Sequence, residues 1–470
     1  MYPAKFAERI RNQKYIDAFS LEEALDRPSP VSIRINPGKW KGTPISSSPV
    51  SWSDYGYYLD TRPLFTFDPL FHSGCYYPQE ASGMFMEQVY KQLVTGSSDI
   101  RVLDLCGAPG GKSTHLSSMI GDKGFLVANE VIKSRAGILA EIITKWGMGN
   151  TLVTNNDPQA FSKLNNYFDL ILADAPCSGE GMFSDLIIRS EWSPENAALC
   201  SERQRRIIMN VWPSLKENGI LIYSTCTFNP AENEENIKWI VETTGASSLS
   251  LDISKYEGIR EINYQGINGY GFYPDKIKGD GLFISVLRKQ GDSPGKTKRQ
   301  YIKNDNQLMG NDSKITEKLI YTSLSNLYRH DEIVYDLSLP VEEYLFLKTH
   351  LRIIKGGTAL YKTRKNDFTP LHELGLSCKI RKDSFPSIDL DYPQAISFLK
   401  KENIVFKNSP LGWILLRYSG VNLGFVRNIG TRLNNYFPTD WRIRMNVPID
   451  IQKRQIGWNI PVRSTKSEIN

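Results

Sequence analysis

The sequence has no long apolar run and few cysteines or histidines, and each absence excludes a class of protein. No segment of its 470 residues reaches about 18 uninterrupted apolar residues, so no membrane-spanning helix is predicted. The opening segment, MYPAKFAER, carries charges where a secretory signal would need its apolar stretch, and we expect a cytoplasmic protein. The six cysteines form no CxxC pair, and the five histidines do not cluster near them. A disulfide framework or a zinc site is therefore not expected, and we predict no bound metal.

The chain is too long for one hydrophobic core, and its charge is unevenly distributed. Roughly two to four domains are expected for this length. Residues 1–290 hold 29 Lys and Arg against 33 Asp and Glu, a net charge of −4, whereas residues 291–470 hold 28 against 18, a net charge of +10. This basic C-terminal part indicates an anionic partner, and nucleic acid is favoured over a membrane because no basic amphipathic helix accompanies it. Nothing in the sequence requires more than a monomer.

The central part of the chain alternates short apolar runs with longer helical patterns, as in RVLDLC, DLILADAP and GILIYSTC. This alternation predicts an α/β fold, a doubly wound sheet with buried, mostly parallel strands. The N-terminal part has one strand-like run, VSIRIN, and predicts a smaller α+β domain. The predicted division is an N-terminal domain at 1–90, a catalytic domain at 91–290, a linker at 291–312, an intermediate small domain at 313–384 and a β-rich module at 385–470.

A glycine-rich loop follows the first strand of the central part and opens a helix. It begins at Asp104 and reads DLCGAPGGKST, with Lys112 near its end. A Walker A loop would need glycine where this sequence has Cys106, and the dinucleotide pattern GxGxxG is also missing. The loop therefore predicts a cofactor that has an adenosine but no phosphate chain.

Two later strands end in acids that such a ligand requires. Glu130 closes LVANE and could accept hydrogen bonds from both ribose hydroxyls. Asp157 closes LVTNND and could accept one from the adenine amino group. A turn with two solvated carboxylates is the structural alternative.

Two cysteines follow neighbouring predicted strands. Cys177 stands in Asp174-Ala-Pro-Cys, and Cys226 stands in Ser224-Thr-Cys. Because the carboxyl ends of strands line the binding crevice of an open α/β sheet, both thiols should face it. A cysteine at a strand end is more often a small buried apolar residue. Here each cysteine lies in a turn rich in Pro, Gly, Ser or Thr, which favours a chemical role.

Paired thiols beside an adenosine cofactor suggest addition to a pyrimidine. A thiolate that adds to carbon 6 of cytosine makes carbon 5 nucleophilic enough to attack the sulfonium methyl of S-adenosylmethionine, and a base must then remove the carbon 5 proton before the thiol leaves. Asp174 could hydrogen-bond N3 and the amino edge of the base and stabilise charge during the addition. The spacing alone does not decide which cysteine is the nucleophile.

These motifs resemble those of the NOL1/NOP2/Sun family of RNA cytosine-C5 methyltransferases. The resemblance rests on DLCGAPGGKST, ANE, NND, DAPCSGEGMF and STCTFNPAENEE, and RINP, YYPQEASGMFM and FYPDKIKGDGLFISVLRK extend it over most of residues 30–290. It implies a Rossmann-like S-adenosylmethionine-dependent methyltransferase core in which Cys226 attacks and Cys177 assists product release. It also implies cofactor contacts from Cys106, Gly107, Ala108, Pro109, Gly110, Gly111, Lys112, Glu130, Asp157 and Asp174, with Arg135 a further candidate.

The basic C-terminal part interleaves arginines with aromatic residues. Arginines can pair with phosphates and aromatic rings can stack on unpaired bases, which predicts contact with RNA. The alternative is a small β-barrel whose aromatic residues form its core. PLGWILLRYSGVNLGFVRNIGTRLNNYFP resembles the PUA-like module of the RsmF/YebU branch of the same family, which modifies small-subunit ribosomal RNA. The residues concerned are Arg417, Arg427, Arg432, Arg442, Arg444, Trp413, Tyr418, Phe425, Tyr436, Phe437 and Trp441.

The leading hypothesis is methyl transfer from S-adenosylmethionine to carbon 5 of a cytidine in 16S ribosomal RNA, as free RNA or within the small ribosomal subunit. A transfer RNA substrate is an open alternative. A nucleotide hydrolase would need the missing Walker A glycine. A non-catalytic RNA-binding factor of ribosome assembly also fits the basic C-terminal part.

Overall fold

The computed structural model covers most of the chain. It describes residues 2–94, 99–291, 308, 311–323, 326–364, 367–406 and 408–460. The linker predicted at 291–312 lies outside the described residues, except for 291, 308, 311 and 312. Within the described ranges, no helix is long and apolar enough to cross a membrane.

The N-terminal part combines helices with a small antiparallel sheet. The strand order of that sheet is β3-β4-β1-β5, and the run VSIRIN forms its strand β1, as predicted. The elements are α1 (Ala4–Arg11), α2 (Ala18–Leu25), β1 (Val31–Ile35), β2 (Thr43–Pro44), β3 (Ser47–Pro49), β4 (Gly56–Leu59), α3 (Pro69–His72), β5 (Tyr76–Pro78) and α4 (Met86–Leu93).

The central part is the doubly wound α/β sheet that the alternating apolar runs predict. Its elements are β6 (Ile100–Asp104), α5 (Gly111–Ile120), β7 (Gly124–Asn129), α6 (Lys133–Trp146), β8 (Thr151–Thr154), β9 (Phe168–Asp174), α7 (Leu186–Glu191), α8 (Pro194–Val211), β10 (Leu215–Thr225), α9 (Glu234–Thr244), β11 (Ser247–Ser248), β12 (Arg260–Tyr264), β13 (Ile267–Phe272) and β14 (Leu282–Arg288). Strands β10-β9-β6-β7-β8 are parallel neighbours in that order. Beside β10, strands β14, β13 and β12 continue the sheet antiparallel, and β11 pairs with β14.

Both faces of the parallel strands of this sheet are buried, which explains why those strands are apolar at most positions. Adjacent side chains of a strand point to opposite faces. In β6, Leu103 belongs to one apolar cluster and Val102 to the other. In β9, Ile171 and Leu172 divide in the same way. Helices cover both faces, as is usual for parallel sheets.

The region after residue 311 adds a further edge strand to the central sheet. Strand β17 pairs antiparallel with β8, and Leu347 and Leu351 join the apolar cluster on that side. A separate antiparallel sheet has the order β15-β16-β18-β19. The elements are α10 (Asp312–Leu319), β15 (Leu327–His330), β16 (Ile333–Asp336), α11 (Val341–His350), β17 (Ile353–Gly356), β18 (Thr358–Arg364), β19 (Asp367–Pro370) and α12 (His372–Leu376).

The C-terminal part is rich in strands and contacts the N-terminal part. Its sheet has the order β20-β21-β22-β23, and β24 pairs with β2. Phe67 of the N-terminal part packs in the C-terminal apolar cluster. The elements are β20 (Ser387–Leu390), α13 (Tyr392–Lys400), β21 (Gly412–Tyr418), β22 (Val421–Asn428), β23 (Leu433–Asn435) and β24 (Trp458–Asn459).

The fold positions the site at one edge of the central sheet. Strands β6 to β10 run parallel, so their carboxyl ends meet at the same edge. The loops that leave these ends carry the residues singled out in the sequence: the glycine loop after β6, Glu130 after β7, Asp157 after β8, Cys177 after β9 and Cys226 after β10.

Candidate active site

Cys177 and Cys226 lie together on neighbouring loops. Their Sγ atoms are 3.0 Å apart. The backbone N–H of Cys226 donates a hydrogen bond to Sγ of Cys177 at 3.2 Å, and both thiols are free. The structure therefore brings the two sequence-predicted thiols into direct contact at the crevice.

The surroundings of Cys177 keep its proton in place. Its hydrogen bond with Cys226, followed by its burial, raises the pKa of the Cys177 thiol well above the ordinary value. A protonated thiol can donate a hydrogen bond to the neighbouring sulfur.

Asp174 is held beside the thiols by two donors. Nζ of Lys112 donates to Oδ2 of Asp174 at 2.8 Å, and Oγ of Ser224 donates to Oδ1 at 2.6 Å. Burial is the largest single effect and disfavours the charged amine, but the charge and hydrogen bond of Asp174, together with Cys226 and Glu80, raise the pKa of Lys112. Lys112 is thus a fixed positive charge opposite a carboxylate, close to the position that Cys226 occupies.

Two cavities meet at Cys226. The first has a volume of about 570 Å³, and its lining includes both thiols, Glu130 and Asp157. The second has a volume of about 370 Å³, and its lining includes Lys112 and Cys226. Both volumes fall in the range of small-molecule sites. The residues that line both cavities are Cys106, Ala108, Asp174 and Cys226.

The first cavity fits S-adenosylmethionine. Glu130 is buried there, and its Oε1 accepts a hydrogen bond from the backbone N–H of Ile132 at 2.9 Å. Asp157 is exposed, and its Oδ1 accepts from the backbone N–H of Gln159. Carboxylates at the ends of adjacent strands suit ribose hydroxyls and an adenine amino group. Arg135 lies at the same cavity, with Nη1 at 3.6 Å from Glu130 Oε2.

The glycine loop lines both cavities and contributes more residues to the second than to the first, while Gly110 lines neither. Gly110 has a φ of +126°, and a Cβ there would lie 2.9 Å from Cγ2 of Ile142, so the turn needs glycine. Of the loop residues predicted to contact the cofactor, Cys106 and Ala108 line the first cavity as well as the second. Those that line the second cavity alone are Gly107, Pro109, Gly111 and Lys112.

Two buried carboxylates behind the thiols were not predicted from the sequence. Glu180 accepts from Nη2 of Arg9 at 2.6 Å, from Nε1 of Trp192 at 3.1 Å and from the backbone N–H of Phe228 at 3.2 Å. It therefore joins helix α1 to the loop that follows Cys226. Its position lies within DAPCSGEGMF, but nothing local in the sequence indicates a partner 171 residues away.

Glu232, the second of these carboxylates, holds the loop that carries Cys177. It accepts from the backbone N–H of Ser178 at 3.0 Å and from Nε2 of Gln204 at 3.0 Å. Burial raises the pKa of Glu232 to about 7. Gln204 also donates to the carbonyl oxygen of Pro176 at 3.0 Å, so helix α8 and the loop after β10 fix the backbone on both sides of Cys177.

The C-terminal aromatic residues divide between core and surface. Phe425 and Phe437 are buried in the apolar core, as the barrel alternative expected. Nε1 of Trp413 donates to the carbonyl oxygen of Phe368 at 3.0 Å, and Arg427 lies over its ring. Tyr436 is exposed. Of the aromatic side chains that the sequence interleaves with arginines, only some therefore lie at the surface.

Three protein families match separate parts of the chain. The N-terminal domain of 16S rRNA methyltransferase RsmF matches residues 2–81, 16S rRNA methyltransferase RsmB/F matches 92–288, and the methyltransferase RsmF PUA domain matches 385–443. With the Rossmann-like sheet and the cavity at its carboxyl edge, these matches define an S-adenosylmethionine-dependent methyltransferase. The chain belongs to the RsmB/F family of methyltransferases, and its C-terminal part is a PUA-like module.

Individual relatives agree with this assignment. Ribosomal RNA small subunit methyltransferase F of Shewanella woodyi is 29% identical over 396 residues, which cover 78% of each chain. The protein of that name from Salmonella agona is 28% identical over 471 residues, covering 93% of this chain and 96% of the relative.

Solved structures share the fold. A methyltransferase homolog protein from Pyrococcus horikoshii is 28% identical with a TM-score of 0.52, covering 61% of this chain and 95% of its own. NSun6 from the same organism, solved with SFG, is 21% identical with a TM-score of 0.51, covering 62% of this chain and 99% of its own.

Proposed function

We propose that this methyltransferase transfers the methyl group of S-adenosylmethionine to carbon 5 of a cytidine in small-subunit ribosomal RNA, through a covalent bond between Cys226 and carbon 6 of the base. The observation that carries the proposal is the 3.0 Å contact between Cys177 and Cys226 where the two cavities meet. A pyrimidine in the second cavity would lie against Cys226, beside a methyl donor in the first.

The chain's own residues account for the bond made and broken at carbon 6. The Cys226 thiolate forms a bond with carbon 6, the double bond shifts from carbons 5 and 6 to carbons 4 and 5, and N3 takes up a proton from water; the Asp174 carboxylate accepts a hydrogen bond from this protonated ring edge. When bound, S-adenosylmethionine supplies the electrophilic methyl group that carbon 5 takes. Water, as the base, then removes the carbon 5 proton, the 5,6 double bond reforms as the bond to Cys226 breaks, and N3 returns its proton to water. Cys177, which holds a proton beside that sulfur, assists this elimination.

The RNA substrate is inferred from the relatives and from the C-terminal part of the chain. The relatives that align over most of their length bear names that state action on small-subunit ribosomal RNA. The basic C-terminal part and its PUA-like module favour an RNA partner. We propose that the enzyme acts as a monomer on 16S ribosomal RNA, with a catalytic domain at 91–290 between an RNA-binding domain at 1–90 and a C-terminal module at 385–470.

Substitution of the thiols tests the chemistry. Cys226→Ala should abolish methyl transfer, whereas Cys177→Ala should accumulate a covalent RNA–protein complex that survives denaturing electrophoresis. Cys200→Ala, in helix α8, is the matched control and should leave turnover intact. Near-normal turnover by Cys226→Ala would contradict the proposed nucleophile, and a complex formed by the double variant Cys177→Ala/Cys226→Ala would contradict the proposed attachment site.

Bisulfite sequencing of total RNA tests the substrate. A strain that lacks the protein should lose 5-methylcytidine from small-subunit ribosomal RNA, and the wild-type protein should restore it. Loss from transfer RNA alone would identify the transfer RNA alternative. Full rescue of ribosome assembly by Cys226→Ala, with no methylation, would favour an assembly factor.

A further inference from the structure

Helix α8 presents two arginines at the first cavity. Arg203 and Arg206 are three residues apart, so they share one face of the helix, and both line the cavity together with Cys177. Both side chains are exposed. Among the residues that the structure describes, neither guanidinium has a hydrogen bond or an ion-pair partner within 4.0 Å.

Arg205, which lies between them in the sequence, has both a hydrogen-bond partner and an aromatic ring beneath its guanidinium. Nε of Arg205 donates to Oδ1 of Asn236 at 2.6 Å, and its guanidinium lies over the ring of Trp239 at 5.3 Å. Arg205 therefore has a structural role on the face of α8 that packs on α9. Arg203 and Arg206 have no such role, and two like charges on one helix face repel each other.

We propose that Arg203 and Arg206 bind backbone phosphates of the RNA strand beside the target cytidine. The inference rests on the proposed function, because a base must be turned out of its stack to reach Cys226, and its flanking strand must then cross the rim of the crevice. The guanidinium fork matches phosphate oxygens in a bidentate geometry. The two side chains are exposed at this rim, whereas Glu130, one of the two carboxylates expected to contact the cofactor, is buried within the cavity.

Arg203 and Arg206 also offset the negative charge of the carboxylates around the crevice. Glu130, Asp157 and Asp174 line the same cavity and would repel an RNA backbone. Two positive charges at the rim reduce this repulsion where the strand has to approach. Their contribution is to RNA affinity and position, not to the bond-making steps at Cys226.

The experiment compares the double variant Arg203→Gln/Arg206→Gln with Arg205→Gln. The probe is a short single-stranded RNA oligonucleotide with a central cytidine, and its dissociation constant is measured by fluorescence anisotropy over a series of salt concentrations. The double variant should bind about tenfold more weakly, and the slope of log affinity against log salt should fall by about 1.4, or about 0.7 per lost phosphate contact. Arg205→Gln should keep the wild-type slope even if its melting temperature falls.

Calorimetry with S-adenosylmethionine separates the two possible ligands of this face. The double variant should bind S-adenosylmethionine with unchanged affinity. Weakened S-adenosylmethionine binding with an unchanged RNA slope would overturn the inference and assign the arginines to the cofactor. An RNA slope equal to that of the wild type would also overturn it, whatever the activity. If the wild-type protein methylates no cytidine and the slope still falls in the double variant, the proposed function fails and the RNA contact stands.

Discussion

Removal of the Arg9 guanidinium should reveal how strongly the N-terminal helix supports the active-site loops. The side chain of Glu180 is completely buried, and its ion pair with Arg9 spans 2.6 Å. Loss of one partner of a buried pair costs about 3–5 kcal/mol, because the other charge stays buried without compensation. Arg9 is 24% exposed, and Glu180 keeps the donors Trp192 and Phe228. We therefore expect Arg9→Met to lower the free energy of unfolding by about 2–3 kcal/mol.

A double-mutant cycle with Glu180→Gln measures this coupling. Urea denaturation of both single variants and the double variant should give a coupling energy of about 1–3 kcal/mol, since the residues are in direct contact. Lys5→Met is the matched control, because Lys5 pairs with Glu8 on the exposed face of the same helix and should leave stability unchanged. If Arg9→Met lowers the free energy of unfolding by less than about 0.5 kcal/mol and its coupling energy with Glu180→Gln is near zero, the ion pair does not stabilise these loops.

Three further substitutions test other parts of the site. Burial raises the pKa of Glu232 from 4.5 to about 7, so its contribution to stability is complete below pH 4.5 and is lost as the pH rises through 7. Glu232→Gln should remove about 3 kcal/mol of this pH dependence, measured by urea titrations at several pH values. An unchanged pH profile would contradict this effect of burial. Gly110→Ala should destabilise the fold by about 1–3 kcal/mol in thermal melts and weaken S-adenosylmethionine binding. The φ of residue 110 is +126°, and the added Cβ would lie 2.9 Å from Ile142. A melting temperature equal to that of the wild type would refute this prediction. Asp174→Asn should slow methyl transfer by about 100-fold or more by loss of its charge, while Asp169→Asn at the other end of β9 should not.

The parts of the site that follow from local sequence were predictable. Strand ends of a parallel sheet meet at one edge, so the acids Glu130 and Asp157 and the thiols Cys177 and Cys226 could be placed together without coordinates. The missing Walker A glycine likewise separated the loop from phosphate-binding loops. These inferences need only strand order and residue chemistry.

Features that depend on packing between distant segments could not be predicted. Lys112 was assigned with the cofactor loop, yet its amine reaches Asp174 on another strand because α5 begins at Gly111 and turns the side chain toward the second cavity. The pairing of β17 with β8 joins residues about 200 positions apart, and a short IIKG run does not indicate which edge it will cover. The burial of Phe425 and Phe437 depends in the same way on partners in other segments.

The most direct test of the covalent mechanism is mass spectrometry of the protein after reaction with RNA whose target cytidine carries fluorine at carbon 5. Fluorine cannot leave as the proton does, so the covalent intermediate should persist after methyl transfer. If the mechanism is covalent as proposed, the peptide bearing Cys226 should carry the methylated nucleotide. Attachment at Cys177, or turnover with no attachment at either sulfur, would contradict it.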